Sequence, residues 1–303
     1  MAFSVQDWYI LAVMAKKTLG IYAFCALTLV AGQGCSIQKM AVRSLDGILD
    51  NTMSVVMEEE DLKLAEQAIG GDLKLLEGLV RTDPENQKLL LLCCQGYTSY
   101  ALAFAEDSLD RARVFYRRAQ QYGMRALVLK GIPDSAFHSN EAAMRDALAG
   151  LSKDDLPVVF WTVNAWGSAA NLERDNPESI ADMPLVNAMM GWVKDQDSTY
   201  FYGGPLLYFG TYYASLPALL GGNVGLSKSY FDRAVAINKG QFLMTLVFYA
   251  KTYAVQTQDE PLFRELLTRV INTPLTVLPE QRLANVVAKK RARELLARTS
   301  DFF

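Results

Sequence analysis

Histidine occurs once in these 303 residues, as His138 between Phe137 and Ser139. Any Ser–His or Cys–His nucleophilic system would have to run through that position. No GxSxG, HExxH or Walker-type motif accompanies it. Paired carboxylates are another route to hydrolysis, and Asp154, Asp155, Glu173, Asp175, Glu178 and Asp182 supply acids in one region. They read as helix caps and surface charges, because acids favour the positive end of a helix dipole. An enzyme is therefore not expected. The four cysteines give no zinc spacing or disulfide framework. Cys93 and Cys94 are neighbours whose side chains diverge on a helix, and they read as small buried hydrophobes. No cofactor or metal is implied. A formal charge of −3 argues against nucleic acid, and the basic cluster Lys289, Lys290, Arg291 and Arg293 reads as a solvated helix face.

Binding chemistry is better represented. Tyr97, Tyr100, Phe104, Trp161, Trp166, Tyr208 and Tyr212 fall on central helices of the chain. Core packing explains any one of them. Buried Tyr and Trp need partners for their polar atoms, so several on adjacent helices can line an apolar pocket with a few polar groups such as Asn164. On that reading Trp166→Ala or Tyr212→Ala weakens ligand capture and leaves the fold intact. A cavity lined by these aromatics would favour a ligand site, and a filled core would favour a purely protein-binding role.

The elements that must position these residues are helices. The composition, 51% hydrophobic and 21% charged, is globular, and strand-like alternation is absent over any useful length. The spacing predicts helices over 62–69 and 73–80 broken at Gly70-Gly71, then 89–105, 109–129, 141–151, one carrying Trp161 and Trp166, and one through Trp192. Further helices are expected over 206–216, 225–237, 241–256, 261–271 and 280–298. Residues 36–57 lead in, with Met40, Leu45, Ile48 and Leu49 inward. Asn140 and Ser152–Asp155 offer caps, while Pro84, Pro177, Pro217 and Pro274 mark breaks. Gly210, Tyr213, Ser227, Phe231 and Ala234 fill the small and aromatic roles of a tetratricopeptide hairpin, and Gly96, Ala112, Tyr116 and Ala119 repeat them with an extended turn. The first pair adds Leu76, Leu79 and Pro84. The fold class is all-α, helical hairpins forming a cryptic tetratricopeptide-like solenoid or bundle.

The N-terminus reads as a targeting segment. Lys16-Lys17 precede an apolar run from Leu19 to Val30 and then Ala31-Gly32-Gln33-Gly34-Cys35, the order of a signal peptide and cleavage site. Met14 is a candidate start, which would leave residues 1–13 as a misread extension. Cys35 is the expected lipidation site, although Gly32 stands where a lipobox carries Leu or Val. The expected organisation is residues 1–34 as signal peptide, 35–57 as a lipidated lead-in and 58–303 as a single helical domain. Ser36 after the Cys points to the periplasmic side of the outer membrane.

Six blocks carry a resemblance: QGYTSYALAFAED (Gln95–Asp107), RARVFYRRAQQYGMRAL (Arg111–Leu127), WTVNAWGSAANLERDNPESIADMPLV (Trp161–Val186), YFYGGPLLYFGTYYAS (Tyr200–Ser215), LLGGNVGLSKSYFDRAVAI (Leu219–Ile237) and LANVVAKKRARELL (Leu283–Leu296). In order and with matching spacers, the chain over residues 60–303 resembles the T component of tetratricopeptide-associated TRAP transporters. The resemblance implies an envelope lipoprotein that partners a periplasmic solute-binding protein, the P component, which feeds an ion-driven permease. It also implies homo-oligomers, a trimer among them, and a hydrophobic or organic-acid ligand. The alternative is an envelope assembly scaffold with no small ligand.

Overall fold

The computed structural model describes residues 37–173 and 176–303. The expected leader, Cys35 and Asp175 lie outside them. Every regular element among the described residues is helical, and none is a strand. The chain divides after Asp50. In the first unit residues 37–43 are helical and α1 (Asp46–Met57) begins. Met40 and Ile48, expected inward, are exposed: apolar spacing on so short a helix marks a face without guaranteeing what covers it.

In the second unit, Asn51–Phe303, capping residues set the helix starts. Asp61 opens α2 (Leu62–Thr82) by accepting from the backbone N–H of Lys63 and Leu64 at 2.9 and 3.0 Å. The expected break at Gly70-Gly71 does not occur. Each glycine costs about 1 kcal/mol in a helix, but Ala65, Ile69, Leu73, Leu76 and Val80 keep one stripe buried straight through the pair. What was expected as a hairpin is therefore one long helix. Asn86 caps α3 (Gln87–Tyr100), which runs on into a π-helical turn, Ala101–Ala105. α4 (Leu109–Leu129) returns against it. Asn140 caps the short α5 (Glu141–Leu148), and Ser152 with Asp155 forms a capping box ahead of α6 (Leu156–Leu172). α7 (Pro177–Gln196) and α8 (Tyr200–Ser215) follow. α9 (Val224–Asn238) packs along α8.

The α8–α9 pair shows why small residues stand where they do. A Cβ on Gly210 would lie 3.0 Å from the Phe231 ring, and the Ser227 hydroxyl donates to the Gly210 carbonyl at 2.7 Å. The small residue brings the helices together and the aromatic fills the crossing, a relation consistent with the tetratricopeptide pattern. Near its start α8 makes a left-handed turn through Phe201, Tyr202 and Gly203 (φ 46, 60 and 81°), so regular helix begins only at Gly204. The expected helix over 241–256 is α10 (Met244–Phe248) passing into a second π-helical turn, Tyr249–Ala254. After α11 (Glu260–Asn272), the closing helix α12 (Arg282–Ala297) packs back against α2. There Arg282 donates to the Glu58 carbonyl at 3.4 Å and faces Glu60 at 3.5 Å. No helix among the described residues is long and apolar enough to cross a membrane.

Candidate functional site

The structure distributes the aromatic set over three places, with Trp166 apart from them against Phe137. The first is a face built by α2, α3 and α4. Tyr97 stacks on Phe115 (5.8 Å between centroids) and on Tyr122 (6.1 Å), and Tyr100 meets Phe115 edge-on at 5.2 Å and Phe104 at 5.6 Å. Cations cover these rings. Arg118 lies 5.1 Å over Tyr97, Arg111 5.4 Å over Tyr100, and Arg125 5.7 Å over Tyr122. Arg111, Phe115, Arg118, Tyr122 and Arg125 recur at three- and four-residue spacing along α4, so one side of that helix alternates guanidinium and ring.

Glu77 ties the face together. Its carboxylate accepts from the Tyr97 hydroxyl at 2.8 Å and the Tyr122 hydroxyl at 3.2 Å, and it pairs with Lys74 at 2.7 Å. Burial works to raise the Glu77 carboxyl, but hydrogen bonds from Lys74, Tyr97 and Tyr122 outweigh it and hold the group below its ordinary 4.5. A carboxyl with a lowered folded pKa adds stability above the unfolded value and loses it as pH falls through the folded value. Glu77→Gln should therefore lose about 1 kcal/mol at pH 7, and the difference from the parent protein should close in acid, once pH has fallen through that lowered value. Urea melts at pH 7 and in acid check this; a deficit that persists in acid would assign it to packing.

The second place gathers Trp161, 5.0 Å from Phe201, with Phe160, Tyr200 and Phe242 around the left-handed turn. Asn238 holds that turn by donating to the Tyr202 carbonyl at 3.0 Å. The third joins Tyr208 and Tyr212, stacked at 6.3 Å, with the Tyr208 hydroxyl donating to Asn187 at 2.8 Å. Asn164 donates to the Phe160 carbonyl of its own helix at 2.8 Å, and Trp166 is buried with its indole N–H on Asp182 at 2.8 Å.

Two clefts lie elsewhere, and none of the eight expected residues lines either. One, about 190 Å³, sits where both π-helical turns face α12. Ala103 comes from the first turn, Lys251 from the second, and Lys290, Arg291 and Glu294 from α12. A π turn misaligns backbone carbonyls, and Arg291 takes that of Leu102 while pairing with Glu106 at 2.8 Å. The basic cluster expected as a solvated face is thus partly turned inward: the Arg291 side chain is 16% exposed, and Lys289 donates to the Ile271 carbonyl at 2.9 Å. Nothing in the local sequence marks the π turns, so this cleft was not legible there. The other cleft, about 220 Å³, lies between α3, the end of α4 and the start of α6, beside Lys130 and Asp154.

His138 is exposed. Cys93 and Cys94 are buried and unbridged, with burial pushing both thiols up to about 12. No cluster of three or more metal-ligating side chains occurs among the described residues. Asp155 and Glu173 are held by Lys130 and by Arg117 and Ser179 respectively, so these acids are committed to joining helices.

The family model for the TRAP transporter T-component matches residues 58–303. The chain belongs to that family. An uncharacterized protein of Treponema pallidum (strain Nichols) is 25% identical over 318 residues, an alignment spanning 93% of this chain and 96% of that protein. A TRAP transporter T-component is an accessory subunit of a transport system rather than an enzyme, and it belongs with the other subunits of that system at the cell envelope. In this T-component the face of α2–α4 and the cleft at α12 both present cations beside apolar groups.

Proposed function

We propose that this T-component docks a periplasmic solute-binding protein, the P component, through the face of α2, α3 and α4. The alternation of Arg111, Phe115, Arg118, Tyr122 and Arg125 over Tyr97 and Tyr100 carries the reading. Arg and Tyr are the side chains that anchor protein interfaces, since they bring large area and directional hydrogen bonds at little entropic cost. Tyr97, Tyr100 and Phe104 then serve as the rigid floor under the arginines. The protein would be held on the periplasmic side of the outer membrane by a lipid on Cys35 and would act as a homo-oligomer. An organic-acid ligand carried by this subunit would find cations in the α12 cleft, whereas Trp161, Asn164, Trp166 and Tyr208 are better accounted for as packing.

The reading without a small ligand is favoured by one observation: Tyr97, Tyr100, Trp161 and Trp166 are buried, and none of the eight expected residues lines either cleft. Affinity capture from solubilised envelopes, with tagged protein and identification by mass spectrometry, separates the possibilities. Stoichiometric recovery of a periplasmic solute-binding protein is expected, and Arg111→Glu with Arg118→Glu should reduce it about tenfold or more, as loss of two interface anchors does. Capture that survives both reversals would move the docking surface elsewhere.

A further inference from the structure

The turn between α8 and α9 is uncharged and carries its leucines outward. From Ser198 to Ser227 there is no Asp, Glu, Lys or Arg. At the tip Leu219 is 99% and Leu220 70% exposed, and Val224 and Leu226 are exposed beside them. Contiguous apolar exposure of this kind marks an interaction surface. The conformation is also built rather than slack. The Gly222 N–H donates to the Pro217 carbonyl and the Asn223 N–H to the Tyr213 carbonyl, each at 3.0 Å, while the Asn223 side chain caps α9 through Leu226 N–H at 2.9 Å. A Cβ on Gly222 would come within 1.8 Å of the Leu216 carbonyl oxygen, so the turn closes only around glycine.

Back from the tip the residue types change in order, apart from Lys228, which lies between Leu226 and Tyr230 and is tied to Asp232. Half-buried tyrosines come next: Tyr213 stacks on Tyr230 at 5.9 Å, and Tyr212 meets Tyr213 at 5.4 Å. Cations follow, with Lys194, which also pairs with Asp195 at 3.1 Å, lying 5.7 Å over Phe209 and Arg233 5.8 Å over Tyr230. The acid on that part of α9, Asp232, is engaged by Lys228 at 2.7 Å and by the Tyr249 hydroxyl at 3.0 Å. Leucine, then tyrosine, then cation is the order in which a bilayer presents acyl chains, interface and anionic headgroups. A protein groove requires no such gradient.

We propose that the Leu219–Leu220 tip enters the interface of a phospholipid bilayer, with Tyr212, Tyr213 and Tyr230 at headgroup level and Lys194 and Arg233 facing lipid phosphates. This contact is separate from the docking face and does not depend on a lipid at Cys35. The test uses the full chain with vesicles of phosphatidylethanolamine and phosphatidylglycerol. In Leu219→Trp, the emission added by residue 219 should shift to the blue and be quenched by brominated acyl chains. Leu219→Ser with Leu220→Ser should weaken partitioning about tenfold, the scale of losing two partly inserted leucines, with thermal melting unchanged because neither side chain packs in the fold. Emission from residue 219 that stays water-like on vesicle-bound protein overturns the proposal. So does a double variant that binds vesicles as before but changes its sedimentation, an outcome that would assign the tip to a second copy of this chain.

Discussion

Replacing Trp166 with alanine should cost about 4 kcal/mol of folding stability, and on a domain of this size that lowers Tm by roughly 10 °C. Trp166 is 1% exposed. Its ring meets Phe137 edge-on at 6.3 Å, and its N–H donates to Asp182 at 2.8 Å, which links α6 to α7. Truncation therefore opens a cavity and strips the Asp182 carboxylate of a donor. Trp166→Phe separates the two effects: it keeps most of the volume, loses the hydrogen bond, and should cost about 1 kcal/mol. Read from the sequence, Trp166 lined a ligand pocket, and its truncation would have weakened ligand capture on an intact fold. Thermal melts of the two variants decide between these accounts, because a Tm within a degree or two of the parent protein for Trp166→Ala would return the residue to a pocket. Tyr212, half-buried at the α8–α9 end and stacked on Tyr208, should tolerate truncation better.

Two helix starts were legible because a cap is local: Asn140 and Ser152 sit within three residues of the groups they bond, and Asp61 and Asn86 do the same work in the structure. The all-α class was legible because apolar spacing is local too. The Gly70-Gly71 pair misled for a related reason: propensity is a weak local term, and the buried stripe from Ala65 to Val80 outweighs it. Which aromatics meet which is not local. Tyr97 and Trp161 look alike in sequence, yet one lies under arginines from α4 and the other against the left-handed turn at Phe201. The cleft at α12 required knowing that residue 291 returns to residue 102, a contact that no periodicity encodes. The six blocks that resemble the T-component family did carry the family, because they sample the whole chain at once.

That return contact gives the second large effect. Arg291→Ala should cost about 3 kcal/mol, near the low end for breaking a mostly buried ion pair. The guanidinium bridges the Leu102 carbonyl in the first π turn and the Glu106 carboxylate, whose other oxygen accepts from the Tyr116 hydroxyl at 2.7 Å. Side-chain exposure is 16% at Arg291 and 25% at Glu106, so removing the arginine leaves a carbonyl and a carboxylate poorly solvated. Neighbouring Lys290 makes the contrast. Its partner Asp107 is 82% exposed at 3.5 Å, and an ion pair of that kind contributes under about 1 kcal/mol. Arg291→Lys keeps the charge but not the planar fork that reaches both acceptors, and should fall between the two. Because the contact joins α12 to the end of α3, its loss should speed amide exchange in residues 101–105 and in the second half of α12 before the rest of the domain responds. A double-mutant cycle with Glu106→Gln should show a coupling above 1 kcal/mol, the value expected of groups in one network. Additive costs would mean that Arg291 packs against the first π turn without joining Glu106 electrostatically, and the network read from the geometry would then be packing alone.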